Sequence, residues 1–401
     1  MTTWLSIIGI GEDGWDGLSA RARDTIMAAR NIIGSSRTLA MLPESPAARH
    51  EWPQPFSAVV AQLKPMTGTA TVLLATGDPM NFGVARKILT FIPKADVTII
   101  PHLSAFSLAA ARMGWSIPDC DCFTIHGRPA ANLEAFIQPD AKLLVLTEDE
   151  TSVAEACRRL VARGFGESSV TVLENLGGTS EKITTFAASA APMRQWSSLN
   201  TLAIHCEAGP SAKIWSRLAG LPDDAFVHDG QLTKREVRAA TLAALAPAPD
   251  QLLWDIGAGC GSVAIEWMRS TRGCEAIAIE QDAARREMIT TNADQLGTPR
   301  LKVIAGEAPP ALHGLPRPHA VFIGGGVGIP GVFETAWEAL LPGGRMVANV
   351  ISIEGEMHLY DLQEKHGGDL VRIDVSHLSK LGAYRAMRPR MAVTQWRAVK
   401  P

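Results

Sequence analysis

The sequence predicts an α/β protein of two domains whose sheets are mostly parallel. Three observations lead there. Short β-branched runs alternate with longer helical patterns, an apolar run ends twice in a glycine-rich turn ("IIGIGEDG" and "LLWDIGAGCGS"), and the alternation pauses over residues 207–229. At 401 residues the chain also exceeds the roughly 100–200 residues usual for one domain. The expected division is 1–206, a linker at 207–229, and 230–401.

The elements follow in order. "WLSIIGI" leads into the helical "GLSARARDTIMAARN", "TVLLATG" into "NFGVARKILTFI", and "DVTIIP" into "LSAFSLAAARMGW". "LLVLTED", a helical "SVAEACRRLVARG" and a strand "SSVTVLENL" close the first domain. The second restarts with the helix "TKREVRAATLAAL" and the breaker "APAPD". Seven strands come next: "QLLWDIG", "EAIAIE", "LKVIAG", "AVFIGGG", "RMVANVIS", "DLVRIDVSHL" and "RMAVTQWR". Helical segments are expected between the first five, and the last two are expected to be adjacent.

Composition narrows the function classes. An apolar fraction of 46% with 20% charged residues describes a folded chain with large cores. A net charge of -3 gives no general attraction to phosphate backbones, so no nucleic-acid partner is expected. No apolar run reaches the roughly 20 residues of a membrane span, and the first apolar run lacks a basic lead and meets Glu12 and Asp13. A cytoplasmic chain with no membrane partner is the expectation. Six scattered cysteines are too few for a disulfide framework. Cys120 and Cys122, with His126 nearby, lack metal-ligand spacing and a second cluster, so no metal is expected.

Residues 255–266, "DIGAGCGSVAIE", decide how the second domain is read. A dinucleotide fingerprint requires G-x-G-x-x-G, and Ser262 stands where its third glycine belongs. The spacing is instead Gly257, Gly259, Gly261, preceded by Asp255 and interleaved with Ala258 and Cys260. Such a loop brings backbone close to a ligand without demanding a diphosphate, as an amino-acid-bearing nucleoside requires. The next strand ends in Glu280, where a carboxylate can accept both ribose hydroxyls, and one strand later Gly306, Glu307 and Ala308 stand where an adenine edge would lie. In this order the features resemble the Rossmann-like, seven-stranded methyltransferases. That resemblance implies S-adenosyl-L-methionine as methyl donor and S-adenosyl-L-homocysteine as product.

The first half carries different signatures. Gly9 and Gly11 form a Gly-x-Gly turn, with Ser19 at the following helix start. "ATGDPMNFG" holds Gly77, Asp78, Pro79 and Gly83, and "PHLSAFSLAAARMGW" holds Ser104 and Ala105. With "TIHGR" and "ENLGGTSEKI", these segments resemble the tetrapyrrole methylases of precorrin and sirohaem synthesis, in the form of the branch that methylates carbon-5. The resemblance implies that domain's α/β fold and a second S-adenosyl-L-methionine site on these residues and Thr147. His102 replaces the family's usual glycine, where a side chain tolerates left-handed backbone poorly.

"GQLTKREVRAATLAAL", with Thr233, resembles the precorrin carbon-15 methylase and decarboxylase modules, as does "FIGGGVGIPGVFETAWEALLPGGRMVANV". Both halves in one chain imply a bifunctional cobalamin-biosynthesis enzyme. It would methylate a precorrin-6 macrocycle at carbons 5 and 15 and remove an acetate carboxyl to give precorrin-8x. Such a tetrapyrrole bears many carboxylates, so cations are expected at its sites: Arg128 beside His126 in the first domain, and Lys234, Arg235, Arg238, Arg385, Arg388 and Arg390 in the second. Methyl transfer needs alignment more than a catalytic dyad. Decarboxylation calls for a general acid, with Glu236, His228 and Tyr384 as candidates. A homo-oligomer is expected by resemblance. The alternatives are a cofactor- or corrinoid-binding regulator without turnover, and a methyltransferase on another substrate. A base methylase commonly shows an aromatic-proline tetrad, but "NVIS" at Asn349 lacks the Pro-Pro.

Overall fold

In the computed structural model, which describes residues 3–401, the chain forms two compact units. One comprises the residues up to Ala130 together with Gln138–Lys213, and the other comprises Ala131–Ile137 together with Ile214–Pro401.

In the first unit, β1 (Leu5–Ile10), β2 (Asn31–Gly34), β3 (Ala48–Glu51), β4 (Thr71–Thr76) and β5 (Val97–Ile100) form an all-parallel sheet in the order β3-β2-β4-β1-β5. β1 is apolar at every position but Ser6 because both of its faces are covered. Ile8 and Ile10 pack with Ile26 and Ile32 on one side, while Leu5 and Ile7 pack with Val59 and Ile88 on the other.

A second sheet of this unit contains β6 (Asp121–Thr124), β7 (Lys142–Leu146), β8 (Ser169–Glu174), β9 (Lys182–Ala187) and β10 (Asn200–His205), in the order β6-β7-β10-β8-β9. Only β6 and β7 run parallel, so the expectation of mostly parallel pairing fails for this sheet. The connection "NLGGTSE" between β8 and β9 is too short for the crossover of a dozen or so residues that a parallel pair needs.

The second unit holds β11 (Leu252–Ile256), β12 (Glu275–Glu280), β13 (Lys302–Ala305), β14 (Ala320–Ile323), β15 (Arg345–Val350), β16 (Asp369–Ile373), β17 (Ser376–Leu381), β18 (Tyr384–Pro389) and β19 (Val393–Val399). Seven of these form one sheet in the order β13-β12-β11-β14-β15-β19-β16, antiparallel only where β19 meets its neighbours. Strand order reverses between β11 and β14, which puts a crevice at their carboxyl ends. The helices Arg235–Leu245, Ser262–Ser270 and Ala283–Gln295 cover one face, burying Leu242, Trp267 and Ile289 with Phe322 and Val347.

Two details differ from expectation. Between β13 and β14 stands only a 3₁₀ turn, Pro310–Leu312, because Pro309, Pro310, Pro316 and Pro318 interrupt helical hydrogen bonding. β16 and β19 are also not consecutive: β17 and β18 pair as a separate ribbon between them. Leu378, Leu381 and Met387 of that ribbon are exposed, so no buried face marked it as strand. Among the described residues, no helix is long and apolar enough to cross a membrane, and no group of three or more His, Cys, Asp or Glu is placed to hold a metal.

Candidate functional site

In the first unit, the loops after β1, β4 and β5 converge on Gly9. A Cβ there would lie 2.0 Å from the Gly77 carbonyl oxygen and 2.6 Å from the His102 backbone nitrogen, so no other residue fits. The Gly77 N–H donates to the Ile10 carbonyl at 2.9 Å, and Asp78 Oδ1 accepts the Met80 N–H at 2.8 Å. Ser104 caps the helix Ala105–Met113 through the Ser107 N–H. Gly11, Gly77 and Ala105 line a cleft whose other wall carries Leu173, Leu176, Asn200 and Thr201.

Thr147 does not line that cleft. Its buried hydroxyl donates to the Asn200 carbonyl at 2.6 Å, which fixes a lining residue instead. Asp78, Pro79 and Gly83 likewise do not line it. His102 avoids the left-handed region, and its Nε2 lies 3.3 Å from the Gly17 carbonyl and 3.4 Å from Asp13 Oδ2. His126 is exposed with Nδ1 3.4 Å from Glu148 Oε2, and the Arg128 guanidinium carbon sits 5.7 Å from the centre of the Phe82 ring.

In the second unit, Asp255, the glycine loop, Glu280, Gly306, Glu307 and Ala308 stand together at the carboxyl ends of β11, β12 and β13, while Thr233 precedes the helix Arg235–Leu245. Gly257, Gly259 and Gly261 all take left-handed backbone, with φ of 68, 58 and 81°. Glu280 grips this loop: Oε2 accepts the Gly259 N–H at 2.8 Å and Oε1 accepts the Asp282 N–H at 3.0 Å. The Gly306 N–H approaches the Glu280 carbonyl at 3.4 Å, Ala311 donates to the Glu307 carbonyl, and Ala308 is buried. Cys260 offers backbone: its carbonyl accepts from Asn292 Nδ2 at 2.9 Å, and burial pushes its thiol up to about 11.

Asp255 is the buried acid beneath the loop. Oδ2 accepts the Ala264 N–H at 3.0 Å, while Oδ1 has no hydrogen-bond partner within the protein. Burial, reinforced by the Glu280 charge and opposed by the Ala264 bond, pushes its pKa up to about 7.

The segment ahead of the helix Arg235–Leu245 passes across the loop, with the Gln231 carbonyl 3.4 Å from where a Cβ of Gly259 would stand. Arg285 holds this strap through Asp229 Oδ2 at 2.9 Å and Gln231 Oε1 at 2.8 Å. Asn292 pins its start through both backbone groups of Val227. Lys234 Nζ bonds the Gly230 carbonyl at 3.0 Å, and Arg235 is exposed.

Arg238, expected among the cations that meet substrate, is instead an interior brace. It is fully buried and pairs with Glu266 Oε1 at 2.7 Å. It also approaches Asp223, donates to the Thr233 and Leu221 carbonyls and lies over the Phe226 ring. Every direction a substrate carboxylate would need is taken.

The family described as Tetrapyrrole (Corrin/Porphyrin) Methylases matches residues 5–191, and the Precorrin methyltransferase domain family matches residues 224–400. A precorrin-6Y C(5,15)-methyltransferase [decarboxylating] of Sinorhizobium sp is 42% identical over 99% of this chain and 96% of its own length. The chain belongs to the precorrin-6Y C(5,15)-methyltransferase (decarboxylating) family. Shorter relatives match parts of it. A probable cobalt-precorrin-6B C(15)-methyltransferase (decarboxylating) of Pyrobaculum aerophilum is 33% identical, covering 42% of this chain and 90% of its own. A cobalt-precorrin-7 C(5)-methyltransferase of Salmonella typhimurium is 27% identical, covering 45% of this chain and 88% of its own.

In this member of the precorrin-6Y C(5,15)-methyltransferase family, the three acid candidates do not converge. His228 Nδ1 accepts the Gly230 N–H at 2.9 Å, Glu236 Oε2 lies 3.9 Å from His377 Nε2 on the ribbon, and Tyr384 is 78% exposed. Arg385 and Arg388 are exposed on β18, and Arg390 Nη1 stands 3.9 Å from Asp223 Oδ2. Sequence reasoning missed Asn200, Glu266, Arg285 and Asn292, each of which acts through a partner distant in the chain. Only Glu266, an acid on the apolar face of a helix, left a local trace.

Proposed function

We propose that this chain methylates a precorrin-6Y (precorrin-6B) tetrapyrrole at carbon-5 in its first unit and at carbon-15 in its second, where an acetate carboxyl is also lost, giving precorrin-8x. The observation that carries this reading is the pair of glycine cradles, one at Gly9–Gly77 and one at Gly257–Gly261, each at the carboxyl end of its own parallel strands. The residues suit S-adenosyl-L-methionine. Three left-handed glycines set the second cradle in a backbone shape that brings its chain close without side chains, and Asp255 Oδ1 offers a buried, uncommitted acceptor beneath it. When bound, S-adenosyl-L-methionine supplies an already activated methyl group. The protein's task is then to align and to exclude water, which can lower a barrier by about 7–11 kcal/mol.

Glu280 and Asp255 hold the loop in one shape, the strap passes over Gly259, and the exposed cations Arg235, Arg385, Arg388 and Arg390, with the half-buried Lys234, offer partners for the ring carboxylates. Isothermal titration should give two cofactor sites per chain. Incubation with a precorrin-6 substrate should yield a product heavier by two CH₂ units and lighter by one CO₂. A regulator would leave the mass unchanged, and a single site would refute the division of labour. A homo-oligomer is proposed on family grounds and is read by light scattering.

A further inference from the structure

Neither the glycine loops nor the cations account for three polar side chains inside the second unit. Asn349 of β15 stands directly opposite Gln395 of β19. Its Nδ2 donates to Thr241 Oγ1 at 2.9 Å, and its Oδ1 accepts from Gln395 Nε2 at 2.9 Å. Gln395 Nε2 also reaches Thr241 Oγ1 at 3.2 Å, while the Thr241 hydroxyl donates to the Val237 carbonyl at 2.8 Å. With its hydrogen committed to Val237, Thr241 can only accept, so the network admits one orientation of the Asn349 amide. Thr241 and Gln395 are fully buried, and Asn349 is half-buried. Two interior polar groups, costly to desolvate, therefore serve to aim a third. One N–H of Asn349 is left uncommitted.

The register says where that amide stands. Ile256, Ile323 and Ala348 form one row across β11, β14 and β15, so Asn349 is level with Gly324 and Gly257. Parallel strands lie about 4.8 Å apart, which places Asn349 about 10 Å from the glycine loop along the crevice. The strand between them continues as Gly324-Gly325-Gly326 and contributes no side chain at that level. The amide thus borders the crevice at the strand-order reversal, where ligands of open α/β sheets bind.

We propose that Asn349 is a substrate-contacting, orienting residue of the second unit, donating its remaining N–H to a carboxylate oxygen of the macrocycle, with Thr241 and Gln395 as its positioning residues. This rests on the tetrapyrrole reading above. The test uses the full chain and follows carbon-15 methylation and CO₂ release, with carbon-5 methylation as an internal control. Removing one hydrogen bond to a charged group should lower kcat/KM for the second-unit steps about 10–100-fold in N349A. N349D keeps the size but presents an anion to a carboxylate, and should lose more through KM. Q395M should lose less than either. Cofactor affinity of the second unit, read by titration, should hold in all three. Unchanged second-unit kinetics in N349A and N349D, or loss of cofactor binding alongside activity, would overturn the assignment. Absence of turnover by the unsubstituted chain would instead overturn the tetrapyrrole reading, and this assignment with it.

Discussion

Arg238 Nε and Glu266 Oε1 lie 2.7 Å apart, with the two side chains 0% and 2% exposed. The pair joins the helix before the glycine loop to the helix after it. Glu266 also accepts the Gly220 and Leu221 N–H groups, so one carboxylate organises the segment entering the second unit. Breaking such a pair from one side leaves an uncompensated buried charge.

E266A should therefore destabilise the second unit by about 3–5 kcal/mol in urea unfolding, whereas an apolar double replacement such as R238M/E266L should recover only the part due to the stranded charge, because the Gly220 and Leu221 N–H groups and the Thr233 and Leu221 carbonyls stay unpaired. If the pair only decorated the surface, the single and double variants would behave alike.

Asp255 gives stability a pH dependence of definite sign. Its folded pKa, about 7, exceeds the ordinary value of 3.8, so the folded chain holds a proton that the unfolded chain releases. This contribution is complete below the ordinary value and is lost as pH rises through about 7. D255N, which keeps an acceptor for the Ala264 N–H, should gain stability relative to the parent chain across that window. Parallel urea midpoints over the range decide the matter.

Gly9→Ala should abolish cofactor binding in the first unit alone, since the added carbon would stand 2.0 Å from the Gly77 carbonyl. Titration should then report one site in place of two, with the second-unit reactions intact.

The strap over Gly259 is held by unlike anchors. Arg285 and Asp229 are partly exposed, so R285A should change stability by about 1 kcal/mol or less. Hydrogen exchange at residues 229–231 should quicken, and cofactor should leave the second unit faster. Asn292 is fully buried, and N292A should cost about 1–3 kcal/mol by orphaning the buried Cys260 carbonyl along with its Val227 contacts. Equal effects from both replacements would refute the distinction.

Much of this was legible in the sequence because the signal was local. Mostly apolar strands such as "LSIIGI" and the alternate glycines at 257, 259 and 261 declare themselves within a few residues. The β17–β18 ribbon did not, because its faces are exposed and carry no burial pattern. Arg238 read as a surface cation because nothing within its helix announces Glu266, 28 residues on. The same holds for Thr241 and Gln395, 154 residues apart.

A loop whose three pivotal positions carry no side chain, and whose remaining two are the small Ala258 and the buried Cys260, has little of its own to adjust. Any L-residue at 257, 259 or 261 meets left-handed backbone, so ordinary drift there is closed. Affinity in the second unit has to be tuned from outside the loop, through Glu280 beneath it and the Gln231 segment above it. Natural variants and engineered ones alike should therefore accumulate their changes in those flanking residues while the loop itself stays silent.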